Sequence, residues 1–115
     1  LGDVYKRQII KIASLLKEKG AGRVYICSTF GFFTDGLDKF DDAYKKGYFD
    51  KLLTTNLVYQ SPELLEKPYY ISCDMSKYIA LIIDTLNHDM SVSHLLNPVD
   101  RIKRCVKNYM AQYEK

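Results

Sequence analysis

Three polar runs, each closing an apolar one, hold the side chains with which this chain could bind a ligand. Ser28-Thr29-Phe30-Gly31 follows Val24-Tyr25-Ile26-Cys27, Thr54-Thr55-Asn56 follows Leu52-Leu53, and Ser72-Cys73-Asp74 follows Tyr69-Tyr70-Ile71. If the apolar runs are parallel strands of one open sheet, the polar runs lie beyond their carboxyl ends, where ligands of such sheets gather. Hydroxyls, an amide and a carboxylate would then converge on one edge. The plainer alternative stays open: strand exits are ordinarily polar, and Asp74 caps the helix that follows.

Other candidate chemistry is weaker. Gly31 and Gly36 have G-x-x-x-x-G spacing, but Leu37-Asp38 stands where a phosphate-binding P-loop needs Lys and Ser or Thr. His88 and His94 lie in a polar stretch without a spaced carboxylate or histidine partner set, which predicts solvated surface residues. Cys27, Cys73 and Cys105 have neither C-x-x-C spacing nor a neighbouring histidine, so no zinc set forms from them. Their apolar neighbours, such as Ile26, Ile71 and Val106, predict small buried hydrophobes, and the spacing fits a reducing compartment. No catalytic dyad is visible. Near the end, Arg101, Lys103, Arg104 and Lys107 share one helical arc, while Val99, Ile102, Val106, Tyr109, Met110 and Tyr113 share the other. Such a helix could lie on a membrane or bind acidic partners. Docking on its own domain or on a neighbouring subunit is the simpler expectation.

The elements that would position these residues follow from periodicity and punctuation. Ile9, Ile12, Ala13 and Leu16 predict an amphipathic helix ending at Gly20. The run Arg23 to Ser28 lacks polar alternation, as expected of a strand covered on both faces. Asp35 is placed to cap a helix striped by Leu37, Phe40 and Tyr44 and closed by Lys45, Lys46 and Gly47. A second strand is predicted at 51–55, a short turn at Leu64-Leu65, and a third strand at 69–73 directly behind Pro68. Met75, Tyr78, Ile79, Ile82, Ile83 and Leu86, with Ala80 and Leu81 added, predict a core helix buried over more than half its circumference. Asn97-Pro98 begins a last helix running almost to Lys115. Strands alternating with helices define an α/β domain with a mostly parallel sheet.

Composition bounds the rest. At 115 residues and 47% hydrophobic, the chain has material for one core. Its longest wholly apolar run is the six residues from Tyr78 to Ile83, against the roughly 20 that a membrane-spanning helix needs. The opening residues have a basic pair but no apolar stretch with a small-residue cleavage site, so no signal peptide is expected. A net charge of +3 is too weak to imply nucleic acid without a concentrated patch, and the one such patch is terminal.

Four stretches, in order and at matching spacing, resemble the C-terminal third of ribose-phosphate diphosphokinases. They are Leu15-Leu16-Lys17-Glu18-Lys19-Gly20-Ala21-Gly22-Arg23-Val24-Tyr25, Ser28-Thr29-Phe30-Gly31-Phe32-Phe33, Thr54-Thr55-Asn56 and Ser91-Val92-Ser93-His94-Leu95-Leu96. The likeness runs from about Gln8 to Leu96. The stretch from Asp74 to Asp89 and the extension from Asn97 to Arg104 are similar to a divergent bacterial branch of the family. Two departures bear on contacts: Phe30 stands where most members have histidine, and Leu96 where most have phenylalanine. The chain also continues about 19 residues past Leu96.

The resemblance implies a partial parallel-sheet, phosphoribosyltransferase-like (type I) domain with flanking helices at residues 9–96, followed by an amphipathic helical extension at 97–115. It implies a parent enzyme that transfers diphosphate from ATP, with Mg2+, to ribose 5-phosphate, making phosphoribosyl pyrophosphate for nucleotide synthesis in the cytoplasm. A homo-oligomer is implied, without nucleic-acid or membrane partners. Thr29, Phe30, Thr55 and Asn56 would lie on the substrate side, and Ser91 and Ser93 would help bind a regulatory phosphate between subunits. For those serines, capping a turn before Leu95 is the open alternative. In the family, an acidic Asp-Asp-x-x-Asp-Thr loop precedes the helix that starts here at Ile9, and the ATP-binding and basic flexible loops lie further upstream. None of the three occurs in this sequence. A C-terminal fragment that binds neither Mg2+ nor ATP alone, and has no catalytic residue of its own, is therefore expected. Residues 3–8, Asp-Val-Tyr-Lys-Arg-Gln, look like one reading frame of the transposase end used in preparing DNA sequencing libraries. Residues 1–8 are accordingly read as a scar that packs poorly or is artificially helical, with a genuine strand at Val4-Tyr5 as the alternative. A non-catalytic regulatory subunit related to the enzyme, or another phosphoribosyltransferase, are the competing functions.

Overall fold

Apolar side chains at helical spacing carry the chain through Gly2–Glu18 as one helix, α1. The computed structural model describes residues 2–113, with side chains from Tyr5 to Gln112 except His94. Expectations for Leu1, Glu114 and Lys115, and for the side chains of Val4, His94 and Tyr113, lie outside the described residues. α1 presents Ile9, Ile10 and Ala13 to the core, whereas Ile12 and Leu16, expected on that face, are exposed. Lys17 explains the rotation: its ammonium bonds the Gly22 carbonyl at 2.8 Å and Asp50 at 3.2 Å, which turns the Ile9–Ala13–Lys17 line inward. The helix stops at Gly20 as expected. Gly20 takes a φ of +90, and the bonds Gly20 N–H to Lys17 and Ala21 N–H to Leu16, each 3.0 Å, close a Schellman turn. The segment read as a scar that packs poorly or is artificially helical continues this helix, with Tyr5 exposed but Lys6 buried and 3.4 Å from Asp35. Tyr5 is thus helical, not in a strand.

The chain divides into two compact units, residues Leu1–Met75 and Ser76–Lys115. After α1, the first unit runs β1 (Tyr25–Ser28), α2 (Asp38–Lys45), β2 (Lys51–Thr55), α3 (Pro62–Leu65) and β3 (Tyr70–Cys73). It is mixed α/β, as expected, with a three-stranded sheet in the order β1-β2-β3, both pairs parallel. Cys27 lies opposite Leu53, and Leu53 opposite Ile71. α2 starts later than Asp35 would set it. Gly36 is still turning at φ +80, its N–H bonded to the Phe33 carbonyl at 3.1 Å, so Leu37 takes the N-cap position without a side-chain cap. Asp38 and Asp41 instead place carboxylates in the positive first turn. α3 begins behind a true cap, Ser61 Oγ accepting from Leu64 N–H at 3.2 Å.

One face of the sheet carries the core. Ile26, Leu52 and Tyr70 pack there against Ala13 of α1, Phe40 of α2 and Leu64 of α3. At its base, Phe49 meets Phe40 and Tyr69 edge-on, with ring centroids 6.2 and 5.4 Å apart. The other face is open, which corrects the expectation of cover on both sides. Tyr25 and Ile71 are exposed there, Cys27 is exposed and Cys73 only half-buried, so these cysteines are not the buried hydrophobes their neighbours suggested. Alternation explains it: Cys27 points away from the face on which its neighbour Ile26 is buried.

Two carboxylates tie this unit together. Asp50 accepts from Val24 N–H at 2.8 Å and from Lys17, and these bonds hold it below the ordinary carboxylate range. Burial pushes Asp41 up, but bonds from Lys67 at 2.7 Å and the Tyr69 hydroxyl at 2.8 Å outweigh it, leaving Asp41 lowered as well. Lys67 is raised by the same bond, and Tyr69 is raised by burial and then by Asp41. A carboxylate whose pKa is lower folded than unfolded stabilises the fold above its unfolded value and loses that contribution as pH falls from there through the lower, folded value. The urea midpoint should therefore drop as pH falls from about 5 to about 3, and Asp41→Asn/Asp50→Asn should be less stable at neutral pH with a shallower decline. Parallel pH profiles for the two proteins would remove these carboxylates as the cause.

The second unit comprises α4 (Ser76–Asn87), α5 (Ser93–Leu96) and α6 (Val99–Tyr113). α4 is not the core helix that its sequence predicts. It buries Thr85 and half-buries Tyr78 and Ile82, while Ile79, Leu81, Ile83 and Leu86 are exposed. Apolar residues all round a helix require cover from several sides, and three helices, two of them short or outward-facing, do not supply it. α6 begins as predicted, Asn97 Oδ1 accepting from Val99 N–H at 3.1 Å behind Pro98. Its described side chains, from Val99 to Gln112, are all exposed, Cys105 among them, so Cys105 is no buried hydrophobe. No helix among the described residues is long and apolar enough to cross a membrane.

Candidate functional site

Parallel pairing in register brings the three polar runs together at the carboxyl edge of the sheet. The Thr55 hydroxyl donates to the Thr29 carbonyl, linking the exits of β2 and β1. Asn56 links β2 to β3: its Nδ2 donates to Asp74 Oδ1 at 2.9 Å, its Oδ1 accepts from Met75 N–H at 2.8 Å, and its own N–H reaches the Cys73 carbonyl at 3.2 Å. Ser28 Oγ folds back onto the Phe30 carbonyl at 2.9 Å. Asp74, read from sequence as a helix cap or a site carboxylate, thus takes part in the rim through Asn56.

Behind the rim lies a network that the sequence reading missed. Gln60 Nε2 donates to the Thr55 carbonyl at 3.1 Å and to the Tyr70 hydroxyl at 2.6 Å, while its Oε1 accepts from Ser72 at 2.8 Å. Tyr70, accepting from Gln60, has its own hydrogen for Thr54 Oγ1, 2.6 Å away. Thr54 and Tyr70 are both buried, so these bonds offset the cost of placing hydroxyls under the rim. Gln60 carried no sequence signal because its partners lie on two strands and meet it only once those strands pair.

A cavity of about 420 Å³ opens beside the exit of β1, between α1 and the loop from Thr29 to Phe33. Thr29, Phe30, Gly31 and Thr54 line it, together with the apolar Ile26 and Phe33. Phe30 and Phe32 are exposed and stacked, with centroids 6.2 Å apart and planes at 30°. Lys6 brings the one ammonium among the lining residues, already paired with Asp35. Apolar walls, hydroxyls and an aromatic plate make a pocket suited to a flat or sugar-like ligand with a polar edge. Thr29 and Phe30 therefore belong to both rim and cavity, whereas Thr55 and Asn56 belong to the rim.

Ser91 and Ser93 lie in the second unit and are described with it. Ser91 Oγ donates to Ser93 Oγ at 3.0 Å and accepts from Ser93 N–H at 3.3 Å, immediately before α5. That is the geometry of a serine holding a turn, with both hydroxyls exposed. His88 is exposed, its Nδ1 2.8 Å from the Asp84 carbonyl oxygen. Among the described residues, no three His, Cys, Asp or Glu side chains cluster so as to hold a metal ion. No protein-family model matches this chain, and no curated protein matches it.

Proposed function

We propose that residues 9–96 form the C-terminal part of a phosphoribosyltransferase-like domain of a ribose-phosphate diphosphokinase, a cytoplasmic homo-oligomer that makes phosphoribosyl pyrophosphate. The observation that carries this reading is the cross-linked polar rim beside the 420 Å³ cavity at the carboxyl ends of three parallel strands. Open α/β sheets bind their ligands at that edge. In this reading Thr29 and Phe30 shape the substrate side of the cavity, while Thr55 and Asn56 hold the three strand exits in fixed relation. Diphosphoryl transfer depends on positioning and on neutralising charge, so a rigid rim contributes by orienting the acceptor. ATP would arrive with Mg2+, but the described residues offer no ligand cluster for the ion, and none is assigned to it. Ser91 and Ser93 would contribute hydroxyls to a regulatory phosphate.

The test joins residues 9–115 to the upstream two-thirds of a ribose-phosphate diphosphokinase and measures phosphoribosyl pyrophosphate from ATP, Mg2+ and ribose 5-phosphate. The chimera should turn over, and the 115-residue chain alone should not exceed a boiled control. A folded but inactive chimera, or turnover by the chain alone, would count against the proposal.

A further inference from the structure

The first unit gathers basic side chains that the sequence keeps apart. Arg7, Ile10, Lys11 and Ser14 stand at i, i+3, i+4 and i+7 on α1, so they share one face of that helix. Lys39, Asp42, Ala43 and Lys46 repeat the spacing on α2 and its C-cap. The two stripes line one cleft of about 360 Å³. Its floor is less polar: Ala43 is buried, and Ile10 and Tyr48 are half-buried against the core. Gly47 takes a φ of +72, and Tyr48 N–H bonds the Ala43 carbonyl at 3.0 Å, a turn that brings Tyr48 back to the cleft at the end of α2.

Four cations and one carboxylate line this cleft, a net +3 that equals the formal charge of the whole chain. Lys11, Lys39 and Lys46 are exposed. Other lysines of the unit are engaged within the fold: Lys17 with Gly22 and Asp50, Lys51 with the Pro68 carbonyl, Lys67 with Asp41. The Lys11 and Lys46 ammoniums make no such bond among the described residues. Cations held on facing stripes repel one another, and an anion between them relieves that repulsion while gaining charge-assisted hydrogen bonds. Lys39 and Lys46 lie two helical turns apart, about 10 Å at 1.5 Å per residue, which calls for a ligand with more than one anionic group. Nucleic acid binds along an extended basic track, whereas this charge is confined to one small cleft. We propose that the cleft between α1 and α2 binds a compact polyphosphate, held by Lys11, Lys39 and Lys46 with Arg7 as a fourth cation. Three of the four lie outside residues 1–8, so the site does not depend on the segment read as a scar. It shares no lining residue with the cavity beside β1 and stands apart from the diphosphokinase reading. Asp42, between Lys39 and Lys46 in the stripe, opposes an anion and sets a limit on affinity.

Isothermal titration of the full chain with inorganic tripolyphosphate, in the absence of divalent cations, tests this. One site should saturate, with affinity falling from tripolyphosphate to pyrophosphate to orthophosphate and falling again as salt is raised. Lys11→Gln/Lys46→Gln should weaken binding about tenfold or more, since each lysine gives a charge-assisted bond. Lys19→Gln, a like charge change on a lysine that does not line the cleft, should alter it by less than about twofold. Asp42→Asn removes the opposing carboxylate and should tighten binding about two- to fivefold, a gain that a misfolded variant does not produce. The proposal is overturned by any of four results: no saturable binding of tripolyphosphate, equal losses in Lys19→Gln and the double variant, weaker binding by Asp42→Asn, or tighter binding of a single-stranded oligonucleotide that strengthens with its length.

Discussion

Replacing Phe49 with alanine should cost the first unit about 3–5 kcal/mol, a large share of the roughly 5–15 kcal/mol by which domains are stable. Phe49 is 2% exposed and is the ring on which Phe40, Tyr44 and Tyr69 converge, at centroid distances of 6.2, 5.9 and 5.4 Å. Removing it deletes buried apolar area and three ring contacts at once, two of them edge-on. The void cannot readily close, because Tyr69 is pinned by its hydroxyl to Asp41 and Phe40 is fixed in α2. Phe49→Leu, which keeps most of the volume, should lose much less. The chain has no tryptophan, so near-ultraviolet circular dichroism reports tyrosines such as Tyr44 and Tyr69 beside the deleted ring. Urea titration followed by that signal checks the prediction, and a loss below about 1 kcal/mol would show that the cluster is not the unit's stabilising centre.

Gly31→Ala should cost about 1–3 kcal/mol although it adds a single methyl group. A Cβ there would stand 2.7 Å from Phe33 Cε2, 2.9 Å from Thr54 Cγ2 and 3.0 Å from Thr54 Oγ1. Thr54 has no room to retreat, being buried and bonded to Tyr70. Phe33 would have to swing away, opening the wall of the cavity it shares with Phe30. Gly22→Ala is the matched control: nothing lies within 4 Å of its Cβ, and the substitution should be neutral or stabilise by about 0.4–1 kcal/mol. Thermal denaturation of both variants decides the matter. Equal melting temperatures would mean that the loop at Gly31 yields without strain.

Punctuation and strand placement were legible where the physics is local. β2 occupies Lys51–Thr55 as predicted, and the helix stops at Gly20 and Gly47 follow from the positive φ each glycine adopts, +90 and +72. The convergence of Thr29, Thr55 and Asn56 was also readable, because parallel pairing aligns carboxyl ends whatever the side chains. Cover was not readable. Apolar runs at Tyr25–Cys27 and along α4 record residue type, and the same types stand on the open face of the sheet and the bare sides of α4 as in the core. The start of α2 depended on the turn at Gly36 continuing past Asp35, which spacing does not reveal. Gln60 was invisible because its role arises from register between distant strands.

The all-parallel order also dictates how the first unit can assemble. β2 is the central strand, and neither neighbour reaches it through a hairpin: Tyr25 pairs with Lys51 across α2, and Leu52 with Tyr70 across α3. Each pairing closes a long loop before it gains a contact, so the sheet cannot nucleate from a local turn. The return through α3 is the shorter of the two and carries its own cap at Ser61, which favours β2–β3 as the earlier pair. β1 is synthesised before its partner, and among the described residues that partner is β2. As the chain leaves the ribosome, Tyr25 to Ser28 wait for their β2 partner until Thr55 has followed.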